Sequence, residues 1–163
     1  MGKVNREILI HSPVPRVWRI LEKHLEHPEV SDSPSKSGNI EELRGEAISE
    51  QRRGVGTRTR WFYRYKGKPF TWDDVVVDWV PMTRIAWKTT SGWQMEDSFS
   101  LQQVGKETRL RYEMSFHLPY GPFGWLYGRL ILEPRTKRHL DDVMQRIKKL
   151  SEDPLGTFVG STQ

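Results

Sequence analysis

Residues 107–118, ETRLRYEMSFHL, alternate without a break. Leu110, Tyr112, Met114, Phe116 and Leu118 share one side, while Arg109, Arg111, Glu113, Ser115 and His117 share the other. A period of two commits the segment to a strand with one face in a core and the other in water. Residues 57–66 repeat the pattern, with Thr59, Trp61, Tyr63 and Tyr65 set against Arg58, Arg60, Phe62 and Arg64. The three arginines are therefore expected to face solvent. Further strands are predicted over 4–10, 39–48, 69–79, 84–90 and 93–103, for seven in all. The breaks between the later ones, RRGVG, KGK, VPMT, SG and VGK, are short and rich in turn residues, so consecutive strands pair as antiparallel hairpins.

Two helical signals flank this run. After the first strand, Ser12 is placed as an N-cap and Pro13 at the first helical position. Val17, Trp18, Leu21 and His24 recur at helical spacing, and the helix is expected to stop near His27–Pro28 because a residue before proline avoids the helical region. A short helical turn from Pro28 and a Ser/Pro loop over 31–39 follow. Near the other end, Leu132, Thr136, Leu140, Val143, Ile147 and Leu150 form one stripe at three- and four-residue steps. Traced upstream, the stripe passes through Arg129 and Trp125. Pro134 lies inside it and either kinks the rod or starts a second helix.

The 163 residues suit one domain, read as 1–152 with a tail at 153–163, and are enough to bury a core unaided. The absence of cysteine removes disulfides, thiol catalysis and cysteine metal sites, and fits a cytoplasmic setting. The N-terminus has no long apolar run of the signal-peptide kind. A net charge of +5 is a mild excess, the arginines are scattered, and no nucleic-acid motif is present, so no nucleic-acid partner is expected. GVGT at 54–57 lacks the ending of a phosphate loop and precedes a strand. HLEH at 24–27 offers two histidines but no evident third ligand, so no metal or other cofactor is expected. His11, His117 and His139 are placed at surfaces or rims. The apolar run within residues 119–134, PYGPFGWLYGRLILEP, is too short to span a bilayer and carries Arg129.

The segments ILIHSPVPRVWRIL (8–21), GVGTRTR (54–60), VVVDWVPMTRIAW (75–87), ETRLRYEMSF (107–116) and GWLYGRL followed by LDDVMQRIKKLSE (124–152) occur in a recognisable order. In that order and spacing the chain resembles the START-like, or helix-grip, superfamily and its polyketide cyclase/dehydrase and lipid-transport branch. The resemblance implies an α+β fold: a seven-stranded, curved antiparallel sheet wrapped around a long C-terminal helix, with a short helical pair after the first strand. It also implies an elongated cavity between sheet and helix for a hydrophobic or amphipathic molecule.

The inward phase of the predicted strands nominates the lining: Trp61, Tyr63, Ile85, Trp87, Trp93, Met95, Tyr112, Met114 and Phe116, joined by Trp125 and Leu132 from the helix. Taken one at a time, such residues fill a core; as a set they suit a ligand site, since Met adapts and Trp and Tyr carry polar tips. Asp97 shares the phase of Trp93, Met95, Phe99 and Leu101, and Asp73 that of Val75, Val77 and Trp79. A buried carboxylate needs a partner, so Asp97 and Arg129 either pair with each other or orient a ligand head; a bulge would instead put Asp97 in solvent. The expected function is binding or carriage of a hydrophobic small molecule or lipid by a monomer or weak homodimer with no membrane span. The alternatives are a cyclase or dehydratase using the same cavity, with Asp97, Asp73, Tyr63 and Tyr112 as candidate acids and bases, or a ligand-free partner-binding module. No catalytic signature such as GxSxG or HExxH occurs. The 119–134 segment is read as lid and wall of the cavity, with Gly124 and Gly128 loosening its first turn.

Overall fold

The computed structural model describes residues 2–28, 36–37, 40–92, 94–117, 121 and 133–154. It is an α+β structure whose strands form one antiparallel sheet. In chain order they are β1 (Gly2–Ile10), β2 (Lys36–Ser37), β3 (Ile40–Ala47), β4 (Arg58–Tyr65), β5 (Lys68–Val80), β6 (Arg84–Thr89), β7 (Gln94–Val104) and β8 (Glu107–His117). The helices are α1 (Val14–Glu26) and α2 (Glu133–Glu152). The sheet order is β1-β8-β7-β6-β5-β4-β3-β2. Each hairpin therefore adds one strand beside the last, as the short turns predict, and β1 closes against β8. The seven long strands fall where the alternation puts them. The eighth, β2, is two residues from the Ser/Pro segment that pair with Ser37 opposite Ile40 and Lys36 opposite Glu41.

The turn between β4 and β5 shows how local chemistry fixes register. Lys66 and Gly67 both have positive φ, at 47° and 78°. That backbone twist matches the twist of the flanking strands, which is why a two-residue hairpin loop favours it. The register beyond it runs unbroken from Tyr65↔Lys68 to Arg58↔Val75.

Helix α1 starts one residue later than the cap rule suggests. Pro13, extended at φ −72° and ψ 152°, is the N-cap and makes no side-chain cap, and His27 closes the helix at the predicted place. Ser12 has another task. It is buried, and its carbonyl accepts a 2.7 Å hydrogen bond from the Thr108 hydroxyl on β8. That bond ties the entry of α1 to the sheet. The helical turn predicted from Pro28 lies, beyond Pro28 itself, outside the described residues.

Helix α2 is described from Glu133, with Pro134 its second residue; the upstream stretch through Arg129 and Trp125 lies outside the described residues. The buried residues are Leu140, Met144, Ile147 and Ser151. The stripe is thus rotated from the predicted one: Met144 and Ser151 face inward, while Val143 and Leu150 sit at its edge. Leu140, Met144 and Ile147 join Val17, Trp18 and Leu21 of α1 and Ile85, Phe99 and Leu110 of the sheet in one core. Both helices therefore cover the same face of the sheet. Its opposite face carries ion pairs such as Arg60–Asp73 at 2.7 Å and Arg64–Glu41 at 3.6 Å, which places the arginines of β4 in solvent.

Candidate functional site

The inner face of the sheet carries an aromatic array with two carboxyl groups set in it. On β4, Thr59, Trp61 and Tyr63 point inward and are buried. Opposite them on β5, Trp72 stacks on Tyr63 with ring centres 4.0 Å apart, and Phe70 lies 5.5 Å from the same ring. Across the middle of the sheet one row reads Val76, Trp87, Asp97, Met114 and Val4. The Phe99 and Tyr112 rings meet edge to face at 4.7 Å, and Trp87 lies 5.6 Å from Phe99.

Asp97 is buried, at 8 % exposure. The pairing of β7 with β6 and β8 is regular around it, so no bulge turns it outward. Burial pushes its carboxyl up to about 7, and the nearby Asp74 charge adds to the rise; hydrogen bonds from Tyr112 and Trp87 oppose it. Its Oδ1 has no hydrogen-bond partner among the described residues. Burial also raises the Tyr112 phenol well above its ordinary value, so it stays protonated as a donor.

Asp74 is the second carboxyl. It too is buried, and its Oδ2 accepts a 2.7 Å hydrogen bond from the Trp61 indole N–H. Burial pushes it up to about 7 against the hydrogen bonds from Trp61 and the Thr59 backbone. The repulsion between the two carboxyls is mutual and falls on whichever ionises second.

On the helix side, His24 in the last turn of α1 stacks on Trp61 at 5.8 Å. More than a third of its surface is accessible, yet burial among protein atoms, followed by the Arg146 charge, lowers its pKa to about 4. Trp72, Trp87, Met95 and Met114, all on the inner face, likewise keep part of their surface accessible. His139 on α2 is half-buried, and its pKa is lowered by burial and Arg146 against Asp142. Among the described residues, no group of three His, Asp or Glu side chains could hold a metal ion.

Trp61, Tyr63, Trp87, Met95, Asp97, Tyr112, Met114 and Phe116 thus share the inner face. Ile85 is wholly buried core. Trp93, Trp125, Arg129 and Leu132 lie outside the described residues, as does nearly all of the 119–134 segment. The expectation for Asp73 is corrected: it faces outward and is held by Arg60 through bonds of 2.7 and 2.9 Å. The cause is a register shift in β5 between Val76 and Asp78. Trp79 does face the core, but counting back from it by twos crosses the bulge and selects the wrong aspartate. Counting forward from Phe70 and Trp72 reaches Asp74, in phase with Thr59 opposite. Asp74, Trp72 and Phe70 were legible by that route. His24 shows its place against Trp61 only once α1 is docked.

Residues 1–152 match the family model described as polyketide cyclase / dehydrase and lipid transport. No curated protein matches the chain. Several solved structures are similar in fold. One is TTHA0849 from Thermus thermophilus, 20% identical, covering 91% of this chain and 95% of that one, at a TM-score of 0.69. The Zhui aromatase/cyclase from Streptomyces sp. R1128 is 15% identical and covers 99% of each chain at a TM-score of 0.68. A START superfamily protein from Mycobacterium smegmatis is 12% identical and covers 92% of this chain and 97% of that one at a TM-score of 0.65. At these identities the likeness speaks for the fold. With the family model spanning both helices and the whole sheet, the chain belongs to the polyketide cyclase/dehydrase and lipid-transport family.

Proposed function

We propose that this protein binds and carries a hydrophobic or amphipathic small molecule in the cytoplasm, held between the inner face of the curved sheet and the C-terminal helix that the sheet grips. The reading is carried by one observation: the side chains around buried Asp97 stay partly accessible although they face inward. Trp87, Met95 and Met114 keep open surface beside it. Apolar area of this kind gains about 25 cal/mol for each Å² that a ligand covers, and one or two polar groups then orient the head. Likeness to START-type folds supports the same reading.

The test is a titration with the neutral hydrophobic dye Nile red, followed by its fluorescence. Met114 adjoins Asp97 across β7 and β8 and keeps part of its surface accessible, so Met114→Trp enlarges the side chain beside the carboxyl. Wild type should bind the dye and the folded variant should not. Equal binding by both would place the dye elsewhere and overturn the reading.

A second reading has its own observation. A carboxyl poised near 7 and bonded to a tyrosine hydroxyl can give and take a proton at neutral pH. A cyclase or dehydratase of the family type would use that pair. Recovery of a transformed product from a supplied polyketide, lost in Asp97→Asn, would favour it; unchanged recovery of the compound would favour carriage.

A further inference from the structure

The unpartnered oxygen of Asp97 says something about the ligand's head. Asp97 is 8 % exposed, and its Oδ1 lacks a partner among the described residues. A buried acceptor left unpaired costs stability, so a ligand that brings a donor there gains from groups already in place. Asp74 adds a second buried carboxyl on the same face, with only β6 between the two strands. Among the described residues, the groups that act on Asp97 are acidic or neutral: Tyr112, Asp74 and Trp87. His24, stacked on Trp61, is kept neutral, and Arg146 on α2 acts on the histidines His24 and His139. In a chain of net charge +5, this face therefore sets two buried carboxyls on strands separated only by β6, while the Arg146 charge is felt at His24 on the helix side. Its walls are aromatic rings, whose faces attract cations.

We propose that the site takes an organic ammonium: a hydrophobic primary amine whose head donates to Asp97 Oδ1 beside the Trp87 and Tyr112 rings. This rests on the binding reading above. The tail lies along the inner face. A neutral hydroxyl could fill the vacant acceptor but would leave both carboxyls uncompensated. An anionic head would be repelled by both.

Three probes of equal chain length separate these cases: decylamine, 1-decanol and decanoate, each used to displace Nile red at pH 8. Decylamine should bind at least about tenfold more tightly than decanol, equal to one decade in Kd, and decanoate should bind most weakly. Asp97→Asn should remove the amine's advantage, with circular dichroism confirming the fold. If the variant fails to fold, the wild-type ranking decides alone. Decanol or decanoate matching decylamine, or an amine preference that survives in a folded Asp97→Asn, overturns the ammonium assignment while leaving the binding reading intact. If neither Nile red nor any probe binds, the binding reading fails and takes the assignment with it.

Discussion

Replacing Asp97 with Asn removes a titratable group while keeping the outline of the side chain, so its effect on stability should depend on pH. In the folded chain the Asp97 carboxyl is raised from 3.8 to about 7. Between those values the native state holds a proton that the unfolded chain has released, and stability falls as pH rises. At about 1.4 kcal/mol per unit, the share due to Asp97 drops by about 3 kcal/mol from pH 5 to pH 8. The variant has no such proton and loses nothing on this account. Against that, the new amide places a donor where Oδ1 stood, at a pH-independent cost of about 1–3 kcal/mol. His24 works in the other direction. Its pKa is lowered from 6.5 to about 4, so its contribution is lost as pH falls through that window, but wild type and variant share it and it cancels in the difference. Urea unfolding of both proteins at pH 5, 6, 7 and 8 gives the two curves. The variant should be the less stable at pH 5, and the gap should close or reverse by pH 8. Curves that stay parallel over the whole range would refute the raised carboxyl and the reasoning built on it.

Two packing predictions concern how the site is held. A Cβ added at Gly45 on β3 would lie 2.5 Å from Pro28 Cβ and 2.8 Å from the Trp61 ring, so Gly45→Ala should cost about 1–3 kcal/mol through overpacking; thermal unfolding that matches wild type would show the contact to be loose. Thr108→Val keeps the shape of a fully buried side chain but leaves the Ser12 carbonyl without its 2.7 Å donor, an expected loss of about 1–3 kcal/mol, and an unchanged urea midpoint would count against that bond.

The sheet was legible because its strands alternate strictly and its turns are short. Residues 107–118 and 57–66 fix both the inward set and the solvent-facing arginines, and the structure keeps Thr59, Trp61, Tyr63, Leu110, Tyr112 and Phe116 buried and the β4 arginines exposed. The limits of the reading were local and physical. One register shift in β5 exchanged Asp74 for Asp73, because a bulge resets the phase and leaves no mark in composition. Ser12 looked like a cap by residue type, but its carbonyl was needed by Thr108 across the fold. On α2, a stripe chosen for its most apolar residues missed Met144 and Ser151, since the helix turns to meet α1 as well as the β1 edge of the sheet. The stack of His24 on Trp61 joins two elements far apart in sequence, and no spacing rule reaches it.

The claim that matters most is that the inner face holds a small molecule. Native mass spectrometry of the purified protein, followed by solvent extraction and identification of what is released, addresses it directly. The account predicts a non-covalent adduct of one consistent hydrophobic species in wild type, absent from Met114→Trp. Bare protein in both, together with no uptake of Nile red by wild type, would contradict it.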